Sequence, residues 1–230
     1  MADYQTSREM SVREGYALWS TLYDQENNGL IALEELQTER LLQQIPYKNV
    51  LDVGAGTGRY ALKCARKGAR VTAIDQSSEM LAVAQQTAHR EGLPIDFHLA
   101  PFEDGLPFSA KQFDLVICAL MLCHVPALSR SVQELSRVLQ PGGFLLITDF
   151  HPDCVHSGWR TEFRQEGVRY LLPNMPHTRA DYLAALTSNG LTIQTTIEQP
   201  VGNLPAGYAS EAFINEHREK LFSLILLAQK

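Results

Sequence analysis

The sequence lacks any apolar run approaching the roughly 20 residues needed to cross a bilayer, and Met1 to Glu14 hold no apolar stretch of signal-peptide length. A cytoplasmic protein with no membrane partner is expected. Cysteine is scarce: Cys64, Cys118, Cys123 and Cys154 are the only four. Without Cys-x-x-Cys spacing, they fit free thiols in a reducing compartment better than a disulfide framework or structural zinc. There is no His-Glu-x-x-His or comparable Cys/His pattern, so no metal is expected. The absence of a Gly-x-Ser-x-Gly elbow and of a Walker turn removes the commonest hydrolase and nucleotidase readings. Excess positive charge is also missing. At a net charge of -6 the chain has no field with which to attract phosphate backbones. Its best basic cluster, Arg160, Arg164 and Arg169, is interleaved with Glu162 and Glu166 and reads as a solvated mixed-charge face. No nucleic-acid partner is expected.

What is present is an ordinary globular composition, 45% apolar and 20% charged, in 230 residues. That length is enough for one domain, 1–230, with a sizeable core. From Val50 onward, short β-branched apolar runs alternate with helical patterns, the signature of α/β units around a parallel sheet. Strands are expected at Asn49 to Val53, Arg70 to Asp75, Asp96 to Ala100, Phe113 to Ala119 and Gly143 to Asp149. Helices are expected between them at Tyr60 to Lys67, Ser78 to Glu91 and Ser129 to Leu139. Gly68 closes the first helix, and Pro141-Gly142-Gly143 is expected to turn the chain into the fifth strand. The pattern fits a Rossmann-like, doubly wound sheet with helices on both faces. Beyond it, Ala180 to Ser188 reads as a helix, and Leu191 to Glu198 and Leu221 to Ala228 as strands forming a hairpin-like edge. Two stretches fall outside this alternation: 1–47, expected to be a helical cap, and the irregular 150–178, expected to cover the site. They flank a core at 48–149, with 179–230 closing the domain.

The strongest signal is Val50-Leu51-Asp52-Val53-Gly54-Ala55-Gly56-Thr57-Gly58-Arg59, a buried strand running into a glycine-rich turn and then a helix. Glycines there bring backbone N–H groups at a helix N-terminus close to a polar ligand, and Asp52 adds a carboxylate beside the turn. Asp75 ends the next strand, seventeen residues past Gly58, where ribose hydroxyls of a ligand would lie. A dinucleotide fingerprint has its third glycine one position later, where Arg59 stands, so a pyrophosphate site is disfavoured.

Asp52-x-Gly54-x-Gly56-x-Gly58 resembles the first motif of class I S-adenosylmethionine-dependent methyltransferases, of the small-molecule, methyltransferase type 11-like kind. Asp75, Phe113-Asp114-Leu115-Val116 and Leu139-Gln140-Pro141-Gly142-Gly143 are similar to later segments of that family. The resemblance spans about 45–150 and reaches the end more loosely through Leu221 to Lys230. It implies a seven-stranded sheet of order 3-2-1-4-5-7-6 with strand 7 antiparallel, and S-adenosylmethionine as cofactor, leaving S-adenosylhomocysteine. The family usually has an acid near Pro101 that contacts adenine; here Phe102 and Glu103 stand in for it. Met80 is placed either to pack against adenine or to fill the helix core. Gln76, beside Asp75, Ala119, at the end of the fourth strand, and Tyr23 complete the cofactor candidates.

For an oxygen or protonated nitrogen acceptor, a histidine near its ordinary pKa is the natural base. His124 follows the fourth strand and His151 the fifth, each either a base or a structural loop residue. Trp159, Arg160 and Tyr170, with His151, are candidates to shape an acceptor pocket, or else belong to a packed cap. Tyr16, Trp19 and Tyr23 recur at near-helical spacing, where related enzymes close a helix over their ligands. Core packing is the expectation for Trp19, which also joins Tyr16 among the acceptor candidates. The favoured expectation is methyl transfer to O, N or C of a small molecule. The alternative is a cofactor-binding protein that catalyses a rearrangement or elimination, or only binds. Spacing leaves the oligomeric state open.

Overall fold

The computed structural model describes residues 7–230. Its main sheet starts at β2 (Asn49–Val53), whose Val50, Leu51 and Val53 are almost fully buried. A continuous apolar run of this kind suits a parallel strand covered on both faces. Around it lie β3 (Arg70–Asp75), β4 (Ile95–Leu99), β5 (Phe113–Ala119), β6 (Leu139–Phe150), β9 (Thr192–Pro200) and β10 (Leu221–Gln229). Their order is β4-β3-β2-β5-β6-β10-β9. Only β10 runs against its neighbours, pairing antiparallel with both β6 and β9. In core-strand numbers this is 3-2-1-4-5-7-6.

Alternation along the strands divides the interior into two apolar layers. Leu51, Val116, Ile147 and Leu226 pack with Val132 and Leu135 of α5 (Leu128–Val138) and with Tyr182 and Leu186 of α7 (Arg179–Ser188). Val50, Ile117, Leu146 and Ile225 pack with Ala61 and Cys64 of α3 (Arg59–Arg66) and with Leu41 and Leu42 of α2 (Gly29–Gln44). The segment 1–47 therefore does more than cap: α2 builds one face of the core. α4 (Ser78–Glu91) starts where the Ser77 hydroxyl accepts the Met80 N–H and stops at left-handed Gly92.

Three expectations are revised. Pro141-Gly142-Gly143 does not precede the strand but lies within β6 as a bulge, because the pairing register jumps from Phe113↔Leu139 to Leu115↔Phe144. Proline cannot donate to the ladder, and a Cβ on Gly143 would stand 2.9 Å from the Asp114 carbonyl oxygen. The stretch 150–178 is not irregular. It holds α6 (Pro152–His156) and an antiparallel hairpin of β7 (Glu162–Gln165) and β8 (Val168–Leu171), to which β1 (Ser7–Glu9) adds in parallel. Glu166 and Gly167 both take positive φ in the two-residue turn, as this hairpin type requires. Finally, β9 and β10 are neighbours, but α8 (Glu211–His217) lies between them in the chain, so they form no tight hairpin. The small sheet supports α1 (Val12–Trp19): Phe163 stacks on Trp19 at 4.8 Å, and fully buried Leu172 lies under Gly15.

Candidate active site

The glycine turn leaves β2 between its two parallel neighbours, the position where open α/β sheets form a crevice. Gly54, Gly56 and Gly58 all have positive φ. A Cβ at Gly56 would meet nothing within 4 Å, so the turn opens onto free space. At Gly58 it would strike Ala84 of α4 at 2.9 Å; that glycine serves helix packing and does not line the cavity.

Asp75 organises the turn. Its Oδ2 accepts the Gly56 N–H and its Oδ1 the Ser77 N–H, both at 2.8 Å. Burial still raises its pKa above the usual value, against these backbone bonds. Asp52 accepts the Ala61 N–H at 2.8 Å, and burial pushes its carboxyl up to about 7.

The cavity in front of the turn has a volume of about 300 Å³. Asp52, Gly54, Gly56 and Asp75 line its floor, with Gln76, Met80, Phe102 and Ala119 alongside. The Glu103 side chain lies outside the described residues. Tyr16 and Tyr23 enter from the N-terminal segment, and His124 from the single helical turn Leu122–His124 after β5. Asp75 and the open turn at Gly56 fit the ribose and polar groups of S-adenosylmethionine.

Tyr16 and His124, 108 residues apart, meet: the hydroxyl and Nε2 are 3.1 Å apart. His124 Nδ1 lies 2.6 Å from the Pro173 carbonyl, which can only accept. Nδ1 therefore carries the proton, and Nε2 of the neutral ring accepts the Tyr16 O–H. Burial lowers the His124 pKa and raises that of Tyr16, so both stay uncharged near neutrality.

Other candidates do not reach this cavity. His151 is buried, donating from Nε2 to Glu198 at 3.0 Å and accepting the Asp153 N–H, because it caps the first turn of α6. Trp159 packs against Phe213, His217 and Phe222. Arg160 pairs with Glu9, and Tyr170 stacks on Phe163. Trp19 donates its indole N–H to Glu26 and borders a smaller neighbouring cavity that also touches Tyr16 and Tyr23.

Sequence reasoning passed over several residues found here. Arg59, next to the glycine motif, lines the cavity. Leu120, with φ of +55°, and Met121 line the cavity without any sequence signal. Asp149 at the end of β6 accepts from the Cys123 N–H and the Tyr182 hydroxyl, both at 2.7 Å, and so fixes the turn that carries His124. Burial raises its carboxyl to about 6 despite these bonds.

Strand order, glycine turn and terminal acid together give the chain the fold and site layout of the class I S-adenosylmethionine-dependent methyltransferases. Residues 51–147 match the family model for the methyltransferase domain. The chain is 35% identical over 156 residues to the ubiquinone biosynthesis O-methyltransferase of Xylella fastidiosa, covering 67% of this chain and 63% of the relative. The matched region thus spans less than two thirds of that relative's length. The fold is shared with an S-adenosylmethionine dependent methyltransferase from Mesorhizobium loti, with a TM-score of 0.63, 22% identity and coverage of 84% and 96%. It is shared too with the [4+2]-cyclase SpnF, at a TM-score of 0.65, 24% identity and coverage of 95% and 94%. No helix among the described residues is long and apolar enough to cross a membrane.

Proposed function

We propose that this chain acts as one methyltransferase domain, 1–230, that moves a methyl group from S-adenosylmethionine to the oxygen of a small hydroxylated metabolite. The observation that carries this reading is a single cavity joining the glycine turn and Asp75 to the Tyr16–His124 pair. The choice of oxygen follows the named activity of the curated relative. Gly54, Gly56 and Asp75 would hold the cofactor, with Gln76, Met80, Phe102 and Ala119 around its nucleoside and Tyr23 and Asp52 nearer the amino-acid moiety. When bound, the cofactor supplies a methyl group already activated on a sulfonium.

The protein's task is then to align the acceptor, exclude water and take one proton. Tyr16 gives its hydroxyl hydrogen to His124 Nε2 and keeps lone pairs free to accept from an acceptor O–H. With the methyl group supplied from that sulfonium to the acceptor oxygen, the acceptor proton would pass to the Tyr16 oxygen. The Tyr16 proton passes to Nε2, leaving an imidazolium and a neutral methylated product. The lowered pKa of His124 keeps Nε2 ready to accept at neutral pH. The step needs no metal, and Asp52 and Asp75 are already bonded to backbone N–H groups. The same reading places the protein in the cytoplasm, with a small molecule as its partner and neither nucleic acid nor membrane.

The test is calorimetric titration with S-adenosylmethionine and, separately, NADH. Incubation with hydroxylated small-molecule acceptors follows, with assay of S-adenosylhomocysteine and methylated product. Binding of the first ligand alone, with equal amounts of both products, supports the proposal. No binding of S-adenosylmethionine overturns it. Cofactor bound but unchanged would replace transfer by binding alone, or by a non-transfer reaction on a fold that SpnF also uses.

A further inference from the structure

We infer that His177 is a positioning residue for His124, acting through the backbone of the turn that carries it. This inference rests on the proton path proposed above. Leu122, Cys123 and His124 of the turn, and Val125 after it, are all buried. So short a turn supplies few bonds of its own, and its buried backbone groups need partners from elsewhere. On one side Asp149 accepts the Cys123 N–H. The other side faces 173–177, the chain between β8 and α7. There the Met175 N–H donates to the Cys123 carbonyl at 2.6 Å, and the Pro173 carbonyl accepts from His124 Nδ1 at 2.6 Å. His177 Nε2 donates to the Val125 carbonyl at 2.7 Å.

Met175 and Pro173 use backbone atoms, which other residues there would also supply. His177 makes the bond to the turn's backbone that depends on a side chain. Its ring stands edge-on to Tyr182, with centroids 6.0 Å apart, and Tyr182 donates to the same Asp149 that holds Cys123. Both ends of the segment are fixed. Asn174 accepts the Thr161 N–H at 2.7 Å and donates to the Thr161 hydroxyl at 3.0 Å, while Thr178 opens α7 with a capping box. Thr161 also borders the smaller cavity, so 173–177 ties that wall to His124. A neutral imidazole has one donor and one acceptor nitrogen. While the Pro173 carbonyl takes the Nδ1 proton, Nε2 stays bare and faces Tyr16. A turn that drifts away from 173–177 releases this lock, and a ring protonated on Nε2 instead cannot accept from Tyr16. His177 thus keeps the base in its accepting form, although it does not line the cavity itself.

The experiment compares the full chain with His177→Phe, which keeps a ring against Tyr182 but loses the donor, and with His177→Gln, whose amide N–H restores one. The first readout is the ring-nitrogen NMR signals of His124, assigned by their loss in His124→Ala. The second is kcat and KM for a hydroxylated small-molecule acceptor, beside calorimetric affinity for S-adenosylmethionine. The wild type is expected to show the Nδ1–H form alone. His177→Phe should add a population protonated on Nε2 and lower kcat by about tenfold, the weight of one hydrogen bond, with KM and cofactor affinity nearly unchanged. His177→Gln should return both readouts close to wild type. An unchanged ring or an unchanged kcat in His177→Phe would overturn the inference. So would a loss that lies in cofactor affinity, or a His177→Gln no better than His177→Phe. Should His177→Phe not fold, Asn174→Ala decides, since it frees 173–177 from Thr161 and leaves His177 in place; both readouts must change for the inference to stand. A wild type that binds no S-adenosylmethionine or transfers no methyl group overturns the methyltransferase reading, while the ring signals still decide whether His177 sets the state of His124.

Discussion

At the scale of single residues, burial keeps Tyr16 and His124 uncharged near neutrality and raises the Asp52 carboxyl to about 7. In the proposed mechanism Tyr16 and His124 form the proton path, so Tyr16→Phe and His124→Ala should each lower kcat by about 10²-fold while leaving cofactor affinity nearly unchanged. Steady-state kinetics with calorimetry checks the split; normal turnover in both variants would remove the pair from the mechanism. The acid limb of the wild-type rate profile should fall below the ordinary histidine pKa of about 6.5, because burial lowers that of His124. Asp75→Asn keeps one acceptor oxygen for the turn but halves what is offered to ribose hydroxyls, and should weaken S-adenosylmethionine binding by about tenfold without unfolding the chain. Asp52 makes a different prediction. Its folded pKa of about 7 stands above its unfolded value of 3.8, with burial as the main cause. Between those values the folded state binds more protons than the unfolded one, so Asp52 costs stability as pH rises through that window. Asp52→Asn escapes this cost and still accepts the Ala61 N–H. Its melting temperature relative to wild type should rise by about 3 °C or more between pH 5 and pH 8; a constant difference would contradict the assignment.

Among elements, α1 is the piece that completes the cavity, and it is seated on the small β1-β8-β7 sheet through Leu172 and Phe163. Gly15 is where α1 meets Leu172, since a Cβ there would come within 2.9 Å of the leucine side chain. Leu172→Ala empties the contact. It should cost about 2–5 kcal/mol in denaturant unfolding and weaken cofactor binding as α1 shifts from the cavity it lines; wild-type affinity would show that α1 does not depend on this seat. These elements were the least legible in the sequence. The core strands and α4 were readable because buried parallel strands are unbroken apolar runs and Ser77 and Gly92 mark the helix ends. In β7 and β8, by contrast, charged residues alternate with aromatics, and Glu166-Gly167 lacks the usual asparagine or aspartate that marks such a turn. The Tyr16–His124 bond joins residues 108 positions apart, which no local pattern relates. His151 shares His124's place after a strand end, but the Glu198 carboxylate that holds its Nε2 lies 47 residues away in the chain.

For the whole molecule, the residues that match the methyltransferase model, 51–147, are only part of what makes the site. They hold the glycine turn, Asp75 and His124, yet they exclude α1, Tyr23 and the strand that closes the sheet. That strand, β10, is hydrogen-bonded on both sides and serves both apolar layers at once. Leu224, Leu226 and Ala228 face one layer, Ile225 and Leu227 the other, and all are nearly or fully buried. Removing 221–230 would expose the edges of β6 and β9 and open both layers together, a loss beyond the about 5–15 kcal/mol by which domains are usually stable. The shortened chain should therefore show no cooperative thermal transition and no binding of S-adenosylmethionine, although the whole matched stretch is intact. A cooperative transition within about 5 °C of the full chain would mean instead that the first five core strands fold alone and that β10 and β9 are an appendage.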